Sequence, residues 1–203
     1  MPRAARTAFL VAVLAALAGA AVPAAGRARP NCFPPHTRTV WRTASVRVYY
    51  DRTSSPFGCL IAHPRPVSLD RYVDPYYAPG DAHLGQLRLA GQVLGYTWID
   101  PGIPAVYVHS VNLRTGRMLR RTEVQPVAVF DPSAVAVTAL VVRPDGALGW
   151  IQRLEGEISV WRLDRRGLRR LDVGPRIALR SLSLRRTRLT WRDRGRRRTA
   201  SLL

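Results

Sequence analysis

Three stretches of this chain align on one another. Leu87-Arg88-Leu89, Gly91 and Leu94-Gly95-Tyr96 match Leu140-Val141-Val142, Gly146 and Leu148-Gly149-Trp150, and both match Leu182-Ser183-Leu184, Thr187 and Leu189-Thr190-Trp191. Each is a short alternating run, a tight turn, and a second run ending apolar, small, aromatic. A period of two punctuated by Gly, Pro and Asp predicts strands. No helical period of useful length follows the first 25 residues.

The order continues in register. Third strands are expected at Ala105 to Leu113, Glu157 to Leu163 and Arg198 to Leu202. The turns Thr115-Gly116 and Arg166-Gly167 lead to short fourth strands at Arg117 to Val124 and Leu168 to Val173, whereas the third copy has no fourth strand. A diverged earlier copy spans Thr39 to Asp70, with strands at Ser45 to Tyr50, Gly58 to Ile61 and Val67 to Leu69. From Leu94 to Leu148 is 54 residues and from Leu148 to Leu189 is 41, the excess lying in the loop through Phe130, Asp131 and Pro132.

Four strands per unit at this spacing predict an all-β fold, a partial or open β-propeller-like array of about three and a half blades. A β-sandwich of generic hairpins is the alternative. A single blade leaves both apolar faces bare, so the units must stack to fold. Parity then puts Leu182, Leu184, Leu189 and Trp191 in the core and turns Arg185, Arg188, Arg192 and Arg197 to water. Tyr96, Trp150 and Trp191 read as packing residues.

Two short motifs carry a resemblance. Val111-Asn112-Leu113-Arg114-Thr115-Gly116-Arg117 resembles the blade end of bacterial WD40-like or TolB-like propellers, and Val142-Arg143-Pro144-Asp145-Gly146 resembles their Pro-Asp-Gly turn. The chain from about residue 39 to 203 is also similar to small secreted actinobacterial proteins with a Cys-bearing first unit. That resemblance implies β-blades and an extracytoplasmic binding or scaffolding role, and carries no catalytic residue. Three and a half units is fewer than a closed propeller holds, so the array is open, or closes on another chain or by an irregular fold of its ends.

The first residues have the pattern of an export signal. Arg3 and Arg6 precede an apolar run from Ala8 to Ala21, shorter than a bilayer span, with Pro23 and small residues behind it. Cleavage is expected after Ala20, Ala24 or Ala25, giving a signal peptide over 1–25, a linker over 26–38 and the β-domain over 39–203. An exported chain is secreted or held at the cell envelope. Cys32 and Cys59, 27 apart, are then expected to form a disulfide. The alternative is a zinc site made with His36 and His63, each four residues after a Cys.

All 32 basic residues are Arg, against 13 acids. Arg without any Lys is what a GC-rich coding sequence produces, which weakens a nucleic-acid reading. The charge is nonetheless uneven, since residues 151–203 hold 16 Arg and 5 acids. Arg185, Arg188, Arg192 and Arg197 are candidate anion-binding residues for wall polymer, lipid or nucleic-acid phosphate. Tyr72, Asp74, Tyr76 and Tyr77, among Pro75, Pro79 and Gly80, form a second candidate that suits a sugar or peptide.

No nucleophile elbow, His-Glu-x-x-His, phosphate-cradling Gly loop or paired Asp-x-Asp is present. Enzyme chemistry would require a spatial His–carboxylate cluster near His83 or His109. The expectation is an exported, non-enzymatic binding or interaction module without a cofactor or metal. Its partner is a protein, a glycan or an anionic envelope polymer. The alternative is a basic protein anchored to anionic polymer, lipid or nucleic acid by charge alone.

Overall fold

The structure, a computed structural model, describes residues 31–70, 83–100, 105–124 and 135–203. Residues 1–25, expected to be a signal peptide, lie outside the described residues. Among those described the chain is all-β and forms no helix.

Four antiparallel sheets follow one another along the chain. The first contains β1 (Arg38–Arg42), β2 (Val46–Tyr50), β3 (Pro56–Leu60) and β4 (His63–Ser68). The second contains β5 (His83–Ala90), β6 (Val93–Asp100), β7 (Ala105–Asn112) and β8 (Arg117–Glu123). The third contains β9 (Val135–Val142), β10 (Leu148–Leu154), β11 (Glu157–Asp164) and β12 (Gly167–Val173). The fourth has three strands, β13 (Ser183–Arg185), β14 (Arg188–Asp193) and β15 (Arg196–Ser201). Within each sheet the strands are ordered as in the sequence, which makes every sheet a meander and the whole a propeller-like array. The sheets do not close into a ring.

The aligned units fall on successive sheets in register, and the absent last strand is absent in the structure too. The first sheet departs from expectation by gaining β1, whose five residues are mostly exposed and show no buried alternation. Its register against β2 is interrupted between Thr39 and Trp41, the kind of irregularity an edge strand tolerates. In the β13–β14 turn the left-handed residue is Arg186 (φ 55°), which aligns with Gly91 (φ 62°), and not Thr187.

Three apolar layers lie between the four sheets. Val46, Val48 and Tyr50 pack on Leu94, Tyr96 and Trp98. Val93, Val106 and Val108 pack on Leu148 and Trp150. Ile151, Ile158 and Val160 pack on Leu189, Trp191 and Leu202. Alternate residues of one strand thus serve opposite layers, as the pleat requires.

A steric rule links the layers. The aligned leucines Leu94, Leu148 and Leu189 are each fully buried, and each projects at a glycine of the preceding sheet. A Cβ on Gly58 would stand 2.7 Å from Leu113 Cδ2 and 3.6 Å from Leu94 Cδ2. On Gly95 it would stand 2.9 Å from Val142 Cβ and 3.2 Å from Leu148 Cδ2, and on Gly149 3.0 Å from Leu189 Cδ1. Burying one such leucine contributes about 2 kcal/mol, so the missing side chain lets neighbouring sheets approach closely enough to collect it.

The Pro-Asp-Gly turn has a similar role. Gly146 adopts φ 89°, its carbonyl accepts a hydrogen bond from Ser110 Oγ at 2.7 Å, and a Cβ there would meet Leu119 Cβ at 2.5 Å. The turn is therefore seated on the second sheet, in a conformation that glycine adopts at little cost.

Candidate functional site

The two ends of the stack are built differently. At the first sheet the outward face carries Arg47, Tyr49, Phe57 and Cys59, and the segment from Cys32 to Thr37 lies over it. The sequence assigns that segment to a linker. Cys32 and Cys59 form a disulfide, so their sulfurs are not available to zinc, and Tyr49 and Phe57 stack beside it at 5.7 Å.

Arg47 is buried there without a carboxylate partner among the described residues. Its Nη1 donates to the Cys32 carbonyl at 2.7 Å, Nε to Thr39 Oγ1 at 2.8 Å and Nη2 to Thr37 Oγ1 at 2.9 Å. The guanidinium also lies over the Tyr49 and Phe33 rings. Neutral oxygens and ring faces thus replace the water it loses. The first sheet is capped by its own chain.

Among the described residues the fourth sheet has no such cover. Cross-strand partners in an antiparallel pair point to the same side, so the register defines the outward face. Ser183, Thr190 and Thr199 form one row across the sheet, Arg185, Arg188 and Ser201 a second, and Arg192 faces Arg197 in a third. All four expected arginines are brought together on this face and are exposed.

Ser183 Oγ and Thr190 Oγ1 are 2.6 Å apart, and Ser181 Oγ accepts from the Arg192 backbone N–H at 2.9 Å. The surface dips twice, in depressions of about 790 Å³ and about 330 Å³ that share Ser183, Thr190 and Arg197.

The electrostatics of this face are one-signed. Arg185 stands opposite Arg188, and Arg192 opposite Arg197, with no ion pair to any of the four among the described residues. Asp193, the acid on β14, has the opposite parity and is engaged by Arg198 at 3.5 Å. Like charges directly opposite each other destabilise a sheet by a few tenths of a kcal/mol or more, and an anion placed between them removes that cost. The glycine rule ends here as well, because the position aligned with Gly95 and Gly149 is Thr190. A further sheet would meet a side chain where its leucine needs a gap.

The other sequence candidates lie elsewhere. Tyr72, Asp74, Tyr76 and Tyr77 lie outside the described residues. His109 is a core residue. Its Nδ1 is 3.0 Å from Tyr96 Oη, which donates to the Leu69 carbonyl at 2.9 Å. The ring therefore carries its proton on Nδ1, and Nε2 is buried without a partner. Desolvation, helped by the positive charge of Arg121, lowers its pKa to about 3, which makes it a neutral packing group. Among the described residues no group of three or more His, Cys, Asp and Glu is placed to hold a metal ion.

Sequence reasoning missed the hydroxyl row of Ser183, Thr190 and Thr199 and the cap around Arg47. The row had a signal, since those residues share the parity of the four arginines. The cap had none, since it depends on a non-local fold-back.

No protein-family model matches the chain, and no curated protein matches it. Solved structures similar to it include the computationally designed Ika4 protein, at 13% identity and a TM-score of 0.46, over 79% of this chain and 88% of that one. The computationally designed Ika8 protein matches at 13% identity and a TM-score of 0.34, over 81% of this chain and 57% of that one. The β-propeller domain of Cps50 (Swd1) from Myceliophteria thermophila matches at 11% identity and a TM-score of 0.39, over 79% and 57%.

Proposed function

We propose that this chain is a non-enzymatic binding module of the cell envelope or extracellular space, and that it holds an anionic partner on the outward face of its last sheet. The observation that carries this reading is the pair of cross-strand arginine pairings, Arg185 with Arg188 and Arg192 with Arg197, on a sheet face that no described residue covers. The extracytoplasmic placement is supported by the Arg-then-apolar leader and by the Cys32–Cys59 disulfide.

The test must separate this face from the general basic character of a chain with formal charge +19. A variant with Arg185, Arg188, Arg192 and Arg197 all changed to Gln is compared with one in which four exposed arginines elsewhere, Arg52, Arg65, Arg114 and Arg117, are changed to Gln. Binding to an immobilised polyanion is followed against salt. The first variant is expected to lose most of its affinity and to flatten a log–log salt slope of about −3, the value four phosphate contacts imply. The second is expected to lose little. Equal losses in the two variants overturn the reading.

A further inference from the structure

We infer that the ligand of this face is a linear chain of phosphate groups that lies along β14 and is gripped at both arginine pairs. The inference rests on the functional reading above and specifies its ligand. Arg188 and Arg192 are four residues apart on one strand, which places the two pairs about 13 Å apart along β14. A single phosphate or pyrophosphate is too short to span that distance, whereas a polymer engages both pairs at once and gains the avidity of a second contact made within the same molecule. Between the pairs lies the row of Ser183, Thr190 and Thr199. Thr190 is buried whereas Ser183 and Thr199 are exposed; with Thr190 as the donor to Ser183 Oγ, Ser183 and Thr199 have O–H groups to donate. The face thus offers donors along its length, in the order guanidinium, hydroxyl, guanidinium.

What the face lacks narrows the ligand further. Among the described residues it presents no aromatic ring: Trp191 lies at the second depression but turns its side chain to the core and is 4% exposed. Recognition of a base or a sugar ring by stacking is therefore not provided. Among the described residues it presents no carboxylate to accept from sugar hydroxyls. Guanidinium and hydroxyl donors on a ring-free surface match closely spaced oxyanions with no ring or base between them, so a bare polyphosphate chain fits better than a sulfated glycan or a nucleic acid.

The experiment measures dissociation constants for orthophosphate, tripolyphosphate and a long-chain polyphosphate at about 0.15 M salt, with heparin, poly-glutamate and single-stranded DNA as competing polyanions. The long chain is expected to bind at least about tenfold more tightly per molecule than tripolyphosphate, and more tightly than the three other polymers. Changing only Arg192 and Arg197 to Gln should remove the length dependence and leave the short-chain affinity within about twofold. Circular dichroism and Tm confirm that these surface variants fold.

A length dependence that survives the double variant overturns the inference, as does heparin or DNA binding at least as tightly as polyphosphate. In either case, loss of polyanion binding in the fourfold Gln variant keeps the face as the binding site and rejects only the ligand assigned to it. Polyphosphate binding unchanged in the fourfold variant rejects both.

Discussion

The side chain of Leu189 closes on the backbone of Gly149 so tightly that a Cβ there would lie 3.0 Å from Cδ1 and 3.1 Å from Cδ2. This contact joins the last sheet to the third. Gly149→Ala is expected to cost about 1–2 kcal/mol, because leucine methyls can yield by a few tenths of an ångström. Gly95→Ala should cost more, since its new Cβ meets the Cβ of Val142 at 2.9 Å, an atom fixed to the main chain. Urea unfolding of both variants gives the order, and equal midpoints would contradict the steric rule.

Acid should destabilise the fold in a window set by His109. Its folded pKa is about 3 and its unfolded value about 6.5. Below about 6.5 the unfolded chain binds a proton that the folded chain refuses, so this contribution is complete above that pH and falls by about 1.4 kcal/mol per unit down to about 3. Replacing His109 by Gln, which keeps a donor for Tyr96 Oη, should flatten the profile between pH 4 and 6.5. Chemical denaturation at half-unit intervals measures it.

Asp164 ties Leu203 to the β11–β12 turn. Desolvation raises its pKa, but hydrogen bonds from the Leu203 and Arg166 backbone N–H groups and the charges of Arg162 and Arg166 outweigh it, and the net shift is downward. Its stabilisation is therefore present above the ordinary carboxylate pKa and disappears as pH falls through the lowered value. Arg162, largely buried at 3.4 Å from Asp164, also donates to the Ser201 carbonyl. Asp164→Ala strands that guanidinium and should cost about 3 kcal/mol. Amide exchange at Leu203 should accelerate, and exchange there at the wild-type rate would show that the carboxylate does not hold the chain end.

Reduction of Cys32–Cys59 should cost about 3 kcal/mol by the chain-entropy estimate for a loop of this size and should free the segment that covers Arg47. Limited proteolysis after reduction is expected to cut first between Cys32 and Thr37, leaving β2 onward intact. First cleavage elsewhere would mean that the segment stays seated without its covalent tie.

The strand order, the three layers and the parity of the last sheet were legible because period-two alternation and glycine turns are local signals. Leu94, Leu148 and Leu189 stood out as a repeat for the same reason. Gly95, Gly149 and Thr190 could be aligned as small residues, but that the first two are gaps for a neighbour's leucine is a relation between sheets, invisible along one strand. Strand β1 lacked a buried face to reveal it. Arg47, in an alternating run, reads as a solvent-facing residue until residues 32–37 are seen folded back on it. The four arginines were legible as exposed, but their pairing across strands follows from hairpin register.

Thr190 in the place of a glycine also gives the molecule a direction. A stack that could accept another copy of its own module at either end would be prone to grow into filaments; here one extremity is sealed by a sulfur tie and the other is blocked by a threonine and same-sign repulsion. A protein anchored through its arginine-bearing extremity would hold the sealed one away from the anchoring polymer, oriented toward whatever lies beyond.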